Sequence, residues 1–261
     1  MRSTKTQAHR RCIMTLQQTD EGIFQIERRG RTALLRLCGN FFQNIKDLGR
    51  RDTVLNAFDM LNMDKDVSVI ILSLAYCGVS GDEYVRFFRE QLDGMEKQSA
   101  HRFCNAVNQV MLEMVRSGKL IVHTCCGDML TFFLGVSLAA DYSIAAEGSV
   151  FRNSYQEIGL LPKGGLPYFI SRRLGNRAVY DLLLAEQSIT AEKALELGLL
   201  NAVVPREQME EAAFAYAARF ENVPLRTVTG TKRLTNWCIR DLEEYLSYEN
   251  KQMMKTLDQF G

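Results

Sequence analysis

The side chains best able to do chemistry are few and scattered. Seven cysteines stand at Cys12, Cys38, Cys77, Cys104, Cys125, Cys126 and Cys238. None forms a Cys-x-x-Cys pair and their number is odd, which speaks against a zinc site and against a disulfide framework. Cys125 and Cys126 follow the apolar run Leu-Ile-Val-His-Thr. They read as buried reduced thiols, with a catalytic cysteine as the alternative. His101 opens a helical stretch and His123 lies in a strand-like one, and neither has the neighbours a triad or a metal site needs. Two glycine-bearing loops remain. Residues 77–84 (CGVSGDEY) carry Asp82 and Glu83, and residues 158–167 (IGLLPKGGLP) carry Lys163. Loops on a rigid scaffold are where binding and catalytic groups collect.

The elements that hold these loops can be read from periodicity. Residues 23–38 alternate around Arg29-Gly30 and predict a β-hairpin. Helical spacing of Leu48, Val54, Leu55, Phe58 and Leu61 predicts a helix over 44–62. VSVIILSLA (67–75) and KLIVHTC (119–125) are apolar runs of strands buried on both faces. Between them, 85–99 reads as a mobile loop or short helix, and 100–118 as an amphipathic helix ended by Gly118. A helix over 133–140 precedes a strand at 142–147 and a possible fourth at 149–151. Further helices are expected at 167–174, 176–186, 190–198, 206–221 and 240–257, with a strand in NAVVP (201–205). Strands alternating with helices imply parallel pairing, because parallel strands need long crossovers.

Composition bounds the function classes. The chain has 261 residues, 46% of them hydrophobic, with 32 Lys plus Arg against 31 Asp plus Glu and a net charge of +1. That balance excludes a disordered chain and offers no basic excess for nucleic acid. No apolar run reaches the length of about 18 residues that a membrane span needs. Residues 1–13 carry Arg2, Lys5, Arg10 and Arg11 and no acid. They read as a basic, disordered arm, with a transit-like segment or a start at Met14 as alternatives. Residues 14–205 read as one core and 206–261 as a helical region. The expected compartment is the cytoplasm, or an organellar matrix if the arm is a transit segment.

Three stretches, taken in order, resemble the crotonase superfamily, the enoyl-CoA hydratase/isomerase family. They are LGVSLAADYSIAAEGSVF (134–151), IGLLPKGGLPYFISRRLGNRAVYDLLLAEQSITAEKALELGLLNAVVP (158–205) and GTKRL (230–234). The stretch 67–84 is similar to the strand and loop that open that family's acyl pocket. The resemblance implies an α/β, crotonase-like spiral of ββα units with a C-terminal helical trimerisation region. It also implies a homotrimer or dimer of trimers acting on an acyl-CoA thioester. No cofactor is implied beyond the coenzyme A of the substrate itself, and no metal. Two backbone N–H groups would hold the thioester oxygen as it becomes an enolate, since fixed donors aimed at developing charge need no reorganisation.

Carried over by position, the first donor follows Gly81 and is the Asp82 N–H. The second lies nine residues before Asp141, at Phe132, where Thr131-Phe132-Phe133 replaces the family's glycine run; Gly135 keeps a shifted register open. The family's acidic positions fall on Gly135, Tyr155 and Lys163, none of them a carboxylate. Hydration needs an acid–base pair on the water and the α-carbon, so two-glutamate hydration is not expected. Tyr155 and Lys163 are the remaining candidates for proton transfer, and Glu157 is the nearest acid. Lys232 and Arg233 match the family's basic position for the CoA 3′-phosphate, with Arg86 and Arg89 as weaker candidates. The expected function is acyl-CoA chemistry through a stabilised enolate. The alternatives are a non-catalytic acyl-CoA or partner-binding protein of the same fold, and an enzyme for carrier-protein-tethered chains.

Overall fold

The computed structural model describes residues 14–16, 22–74, 79–92, 96–237 and 239–257. The basic arm, Cys12, Cys77 and Cys238 lie outside them. The strands are β1 (Met14–Leu16), β2 (Phe24–Arg29), β3 (Thr32–Leu37), β4 (Val69–Ser73), β5 (Leu120–Cys125), β6 (Asp128–Leu130), β7 (Tyr142–Ala146), β8 (Val150–Arg152), β9 (Ser188–Thr190) and β10 (Ala202–Val204). Seven form one sheet in the order β1-β2-β3-β4-β5-β7-β10. The first two pairings are antiparallel and the rest, from β3 to β10, are parallel. The remaining three form a small sheet ordered β6-β8-β9. The expected hairpin is present, with Gly30 at positive φ in its turn.

The helices explain where the two sheet faces go. α1 (Phe41–Lys46) and α2 (Leu48–Met63) replace the single expected helix. The break is Asp47, whose carboxylate accepts the Arg50 N–H as a new N-cap. α3 (Gly81–Leu92) and α4 (Lys97–Arg116) follow. Most of the stretch read as a mobile loop or short helix is thus helical, and Gly81 starts a helix where a loop was expected. α5 (Phe132–Ala139) fits its expectation within a residue. Then come α6 (Leu166–Leu174), α7 (Asn176–Tyr180), a π-helical turn at Asp181–Ala185, α8 (Ala191–Glu196), α9 (Met209–Ala218), α10 (Leu225–Thr235) and α11 (Ile239–Leu257). α10 and β6 have no counterpart in the sequence reading.

Alternate residues of β4 face different layers. Ile70 and Leu72 join the main core with Phe58, Met111 and Phe133. Val69 and Ile71 pack on the other side against Met209, Ala213, Phe214 and Ala217 of α9. That two-sided burial is why the strand reads as an unbroken apolar run. Among the described residues no helix is long and apolar enough to cross a membrane.

One cysteine departs from expectation. Cys126 is disulfide-bonded, and its partner lies outside the described residues. Cys125 is a free, fully buried thiol, as expected, and burial pushes it up to about 12, out of the reactive range.

Candidate functional site

Two helix starts converge on one arginine. At the start of α3, Ser80 and Glu83 form a capping box: the Ser80 N–H donates to Glu83 Oε2 at 2.8 Å and the Glu83 N–H to Ser80 Oγ at 3.2 Å. Glu83 is therefore spent on the cap. Asp82 beside it is exposed and accepts from Arg152 at 3.1 Å. Arg152 also clamps Asp128 of β6, with Nε 2.6 Å from Oδ1. Gly81 packs tightly against this pair: a Cβ there would stand 3.0 Å from Asp128 Oδ1 and 3.1 Å from Arg152 Cδ, so both side chains would have to give by a few tenths of an ångström. The Arg152 carbonyl in turn accepts both the N–H and the hydroxyl of Thr131, at 2.9 and 3.0 Å. Thr131 is the N-cap of α5. The next N–H groups, of Phe132 and Phe133, head that helix and have no intrahelical acceptor. Leu134 and Gly135 already donate back to the Thr131 carbonyl.

Beside these starts lies a pocket of about 90 Å³. Phe42, Phe87, Phe88, Phe103 and Phe132 wall it, with Met253 of α11 across from them. The rings pack closely, Phe42 tilted against Phe132 at 5.1 Å and edge to face with Phe88 at 4.8 Å. Among the described residues no Asp or Glu lines this pocket. Its polar lining is Lys46, Gln91, Thr131, Arg152, Ser154, Tyr155 and Lys163, with the Cys104 thiol beside them.

The expected residues fall out as follows. Phe132 is buried in the pocket wall, its ring laid on Gly164, where a Cβ would stand 2.8 Å from the ring. Gly135 faces the same loop, and a Cβ there would stand 2.7 Å from the Gly164 carbonyl oxygen. Tyr155 lines the pocket, but its hydroxyl donates to the Leu183 carbonyl at 2.5 Å, with Asn153 Oδ1 3.2 Å away. Burial raises this phenol above its usual range and keeps it neutral. Glu157 is exposed and outside the lining. Lys163 lines the pocket, its Nζ donating to Glu249 Oε2 at 2.7 Å and to Asn108 Oδ1.

Lys232 lies elsewhere. It is 4% exposed, and its Nζ donates to the Met114 carbonyl, the Lys119 carbonyl and Asp141 Oδ2 at 3.1, 2.9 and 2.6 Å. An ammonium has three donors, so none is left for a phosphate. Burial lowers this amine, and Asp141 opposes the shift. Arg233, next to it on α10, is exposed, as are Arg86 and Arg89.

Three residues of the site were not anticipated: Arg152, Asn108 and Glu249. Glu249 carries a legible signal. It falls on the α11 stripe Leu242, Leu246, Met253, at heptad-like spacing, as a lone acid on a buried face.

Comparison with known proteins places this architecture. A family model described as Enoyl-CoA hydratase/isomerase matches residues 44–260. A trans-2-decenoyl-[acyl-carrier-protein] isomerase of Streptococcus mutans is 23% identical over 70% of this chain and 70% of its own length. A probable enoyl-CoA hydratase of Mycobacterium tuberculosis is 27% identical over 69% of this chain, which spans 65% of that relative. The crystal structure of an enoyl-CoA hydratase from Bacillus halodurans superposes with a TM-score of 0.74 at 19% identity, covering 90% of this chain and 95% of that one. The mixed α/β architecture with its parallel-rich sheet is thus that of a crotonase fold, and the chain belongs to the enoyl-CoA hydratase/isomerase family.

Proposed function

We propose that this chain binds an acyl thioester with its acyl chain in the aromatic pocket and stabilises the thioester enolate without hydrating a double bond. The observation that carries the reading is the pocket lining, apolar and free of carboxylates among the described residues. Hydration asks for an acid and a base at the water and the α-carbon, and no pair of that kind lines this site. The N–H groups that open α5 and the Asp82 N–H at the start of α3 are the donors the enolate oxygen would use. The exposed Asp82 carboxylate, beside pocket-lining Arg152, is the single base that would take the α-proton. The acyl chain gains from burial against the phenyl rings, roughly 0.8 kcal/mol per methylene.

The test is hydrogen exchange at the α-carbon of a saturated acyl-CoA in deuterated water, run beside hydration of the matching enoyl-CoA. Exchange without hydration is expected. Hydration at an ordinary enzymatic rate would overturn the reading, and so would failure to bind any acyl thioester. Binding without exchange would favour the second reading, a binding protein of the same fold. That reading has its own support, because Tyr155 and Lys163 are both held by internal partners.

A further inference from the structure

Lys163, Asn108 and Glu249 meet at the pocket wall from three different elements. Lys163 comes from the loop before α6, Asn108 from α4 and Glu249 from α11. The Asn108 amide donates to the Leu246 carbonyl at 2.9 Å, which fixes its oxygen toward the Lys163 ammonium. Glu249, its side chain 4% exposed, accepts the Gly165 N–H on Oε1 at 2.9 Å, and the Gly164 N–H at 3.3 Å and Lys163 at 2.7 Å on Oε2. Both of its oxygens are therefore committed to holding the loop and the amine. Lys163 has used two of its three donors. The third remains for whatever occupies the pocket that Lys163 lines.

We propose that Lys163 is the pocket's ligand-orienting cation, that Glu249 is its positioning residue, and that the bound acyl chain carries a neutral acceptor oxygen, a hydroxyl or ketone. The proposal rests on the acyl-thioester reading and narrows its substrate class. Charge balance selects the class. Lys163 and Glu249 together are neutral, so a carboxylate-bearing chain would bring a second anion close to Glu249 in a poorly solvated wall. A plain hydrocarbon would cover the third donor of a side chain that is only 14% exposed and leave it without a partner. A hydroxyl or carbonyl oxygen satisfies the donor and adds no charge. Ser154 points the same way. It lines the pocket, is 2% exposed, and its hydroxyl has no hydrogen-bond partner among the described residues.

The experiment is calorimetric binding of the full chain to acyl-CoAs of one length: plain, hydroxyl-bearing, keto-bearing and terminally carboxylated. The wild type is expected to bind an oxygenated chain about tenfold tighter than the plain one, and the carboxylated chain no tighter than the plain one. In K163M, or K163Q should K163M not fold, all chains are expected to fall within about threefold of each other. E249Q should lose most of the preference, and the K163M/E249Q double variant should lose no more than K163M alone. A merely structural Glu249 would weaken every ligand alike and add to K163M. Equal binding of plain and oxygenated chains by the wild type would overturn the proposal and leave the acyl-thioester reading standing. So would preference for the carboxylated chain, or a preference that survives K163M or K163Q. Failure to bind any of the four would overturn both.

Discussion

Position 135 shows how a backbone contact decides what a residue can do. A side chain there would start 2.7 Å from the Gly164 carbonyl oxygen, and backbone on both sides leaves little room to yield. Gly135→Ala is expected to destabilise the chain by about 1–3 kcal/mol, read as a lowered denaturation midpoint at unchanged slope. The family resemblance puts Gly135, Tyr155 and Lys163 at that family's acidic positions. It could not tell that Tyr155 spends its proton on Leu183 or that Lys163 leans on Glu249, because those partners lie 28 and 86 residues away. Long-range polar contacts leave no periodic trace. Glu249 is the exception, because an acid on an apolar stripe must find a partner.

At the level of elements, the legible parts are those whose burial sets a period. β4 and β5 were evident as apolar runs, and α4 as an amphipathic stripe. α10 was not, since only Val228 and Lys232 of its eleven residues are buried. It is held instead by polar contacts: Thr229 Oγ1 donates to the Gly118 carbonyl at 2.7 Å, and Lys232 reaches three acceptors across the end of α4 and β5. Lys232→Met is expected to cost about 3 kcal/mol by leaving the Met114 and Lys119 carbonyls without this donor and Asp141, which keeps the Ile121 N–H, without its counter-charge. Thermal unfolding would show the loss. The same variant should bind acyl-CoA and the matching acyl-pantetheine in the wild-type ratio; a loss confined to acyl-CoA would return Lys232 to nucleotide binding.

Across the whole molecule, the electrostatics set a pH limit. His123 of β5 is fully buried, with Nδ1 2.9 Å from Ser137 Oγ and Nε2 without a hydrogen-bond partner among the described residues. Burial pushes it down to about 3. Its folded value thus lies below the unfolded value of 6.5. Between those values the unfolded chain binds a proton that the folded chain refuses, so stability falls as pH drops from about 6.5 toward 3. Well inside that window the slope from this group is about 1.4 kcal/mol per pH unit. Denaturant titrations across the window should show it, and His123→Gln should flatten it. With Lys232 turned inward, exposed Arg233 is the cation left at the expected phosphate position. Acyl-pantetheine is therefore expected to bind within about threefold of acyl-CoA, the size of one exposed charge contact. A much weaker acyl-pantetheine would mean that the nucleotide is read by another surface.

The interlock of Gly135, Gly164 and Phe132 also constrains the order in which this chain can change. The Gly164 carbonyl occupies the space that a side chain at 135 would need, and Phe132 occupies the space beside Gly164. A carboxylate introduced at 135 meets backbone before it meets substrate. To place one there, the loop must first move, and the loop cannot close further while the ring at 132 stays. Installing a carboxylate at 135 therefore begins with a change at Phe132 or in the loop, through intermediates that have altered packing and gained no acid.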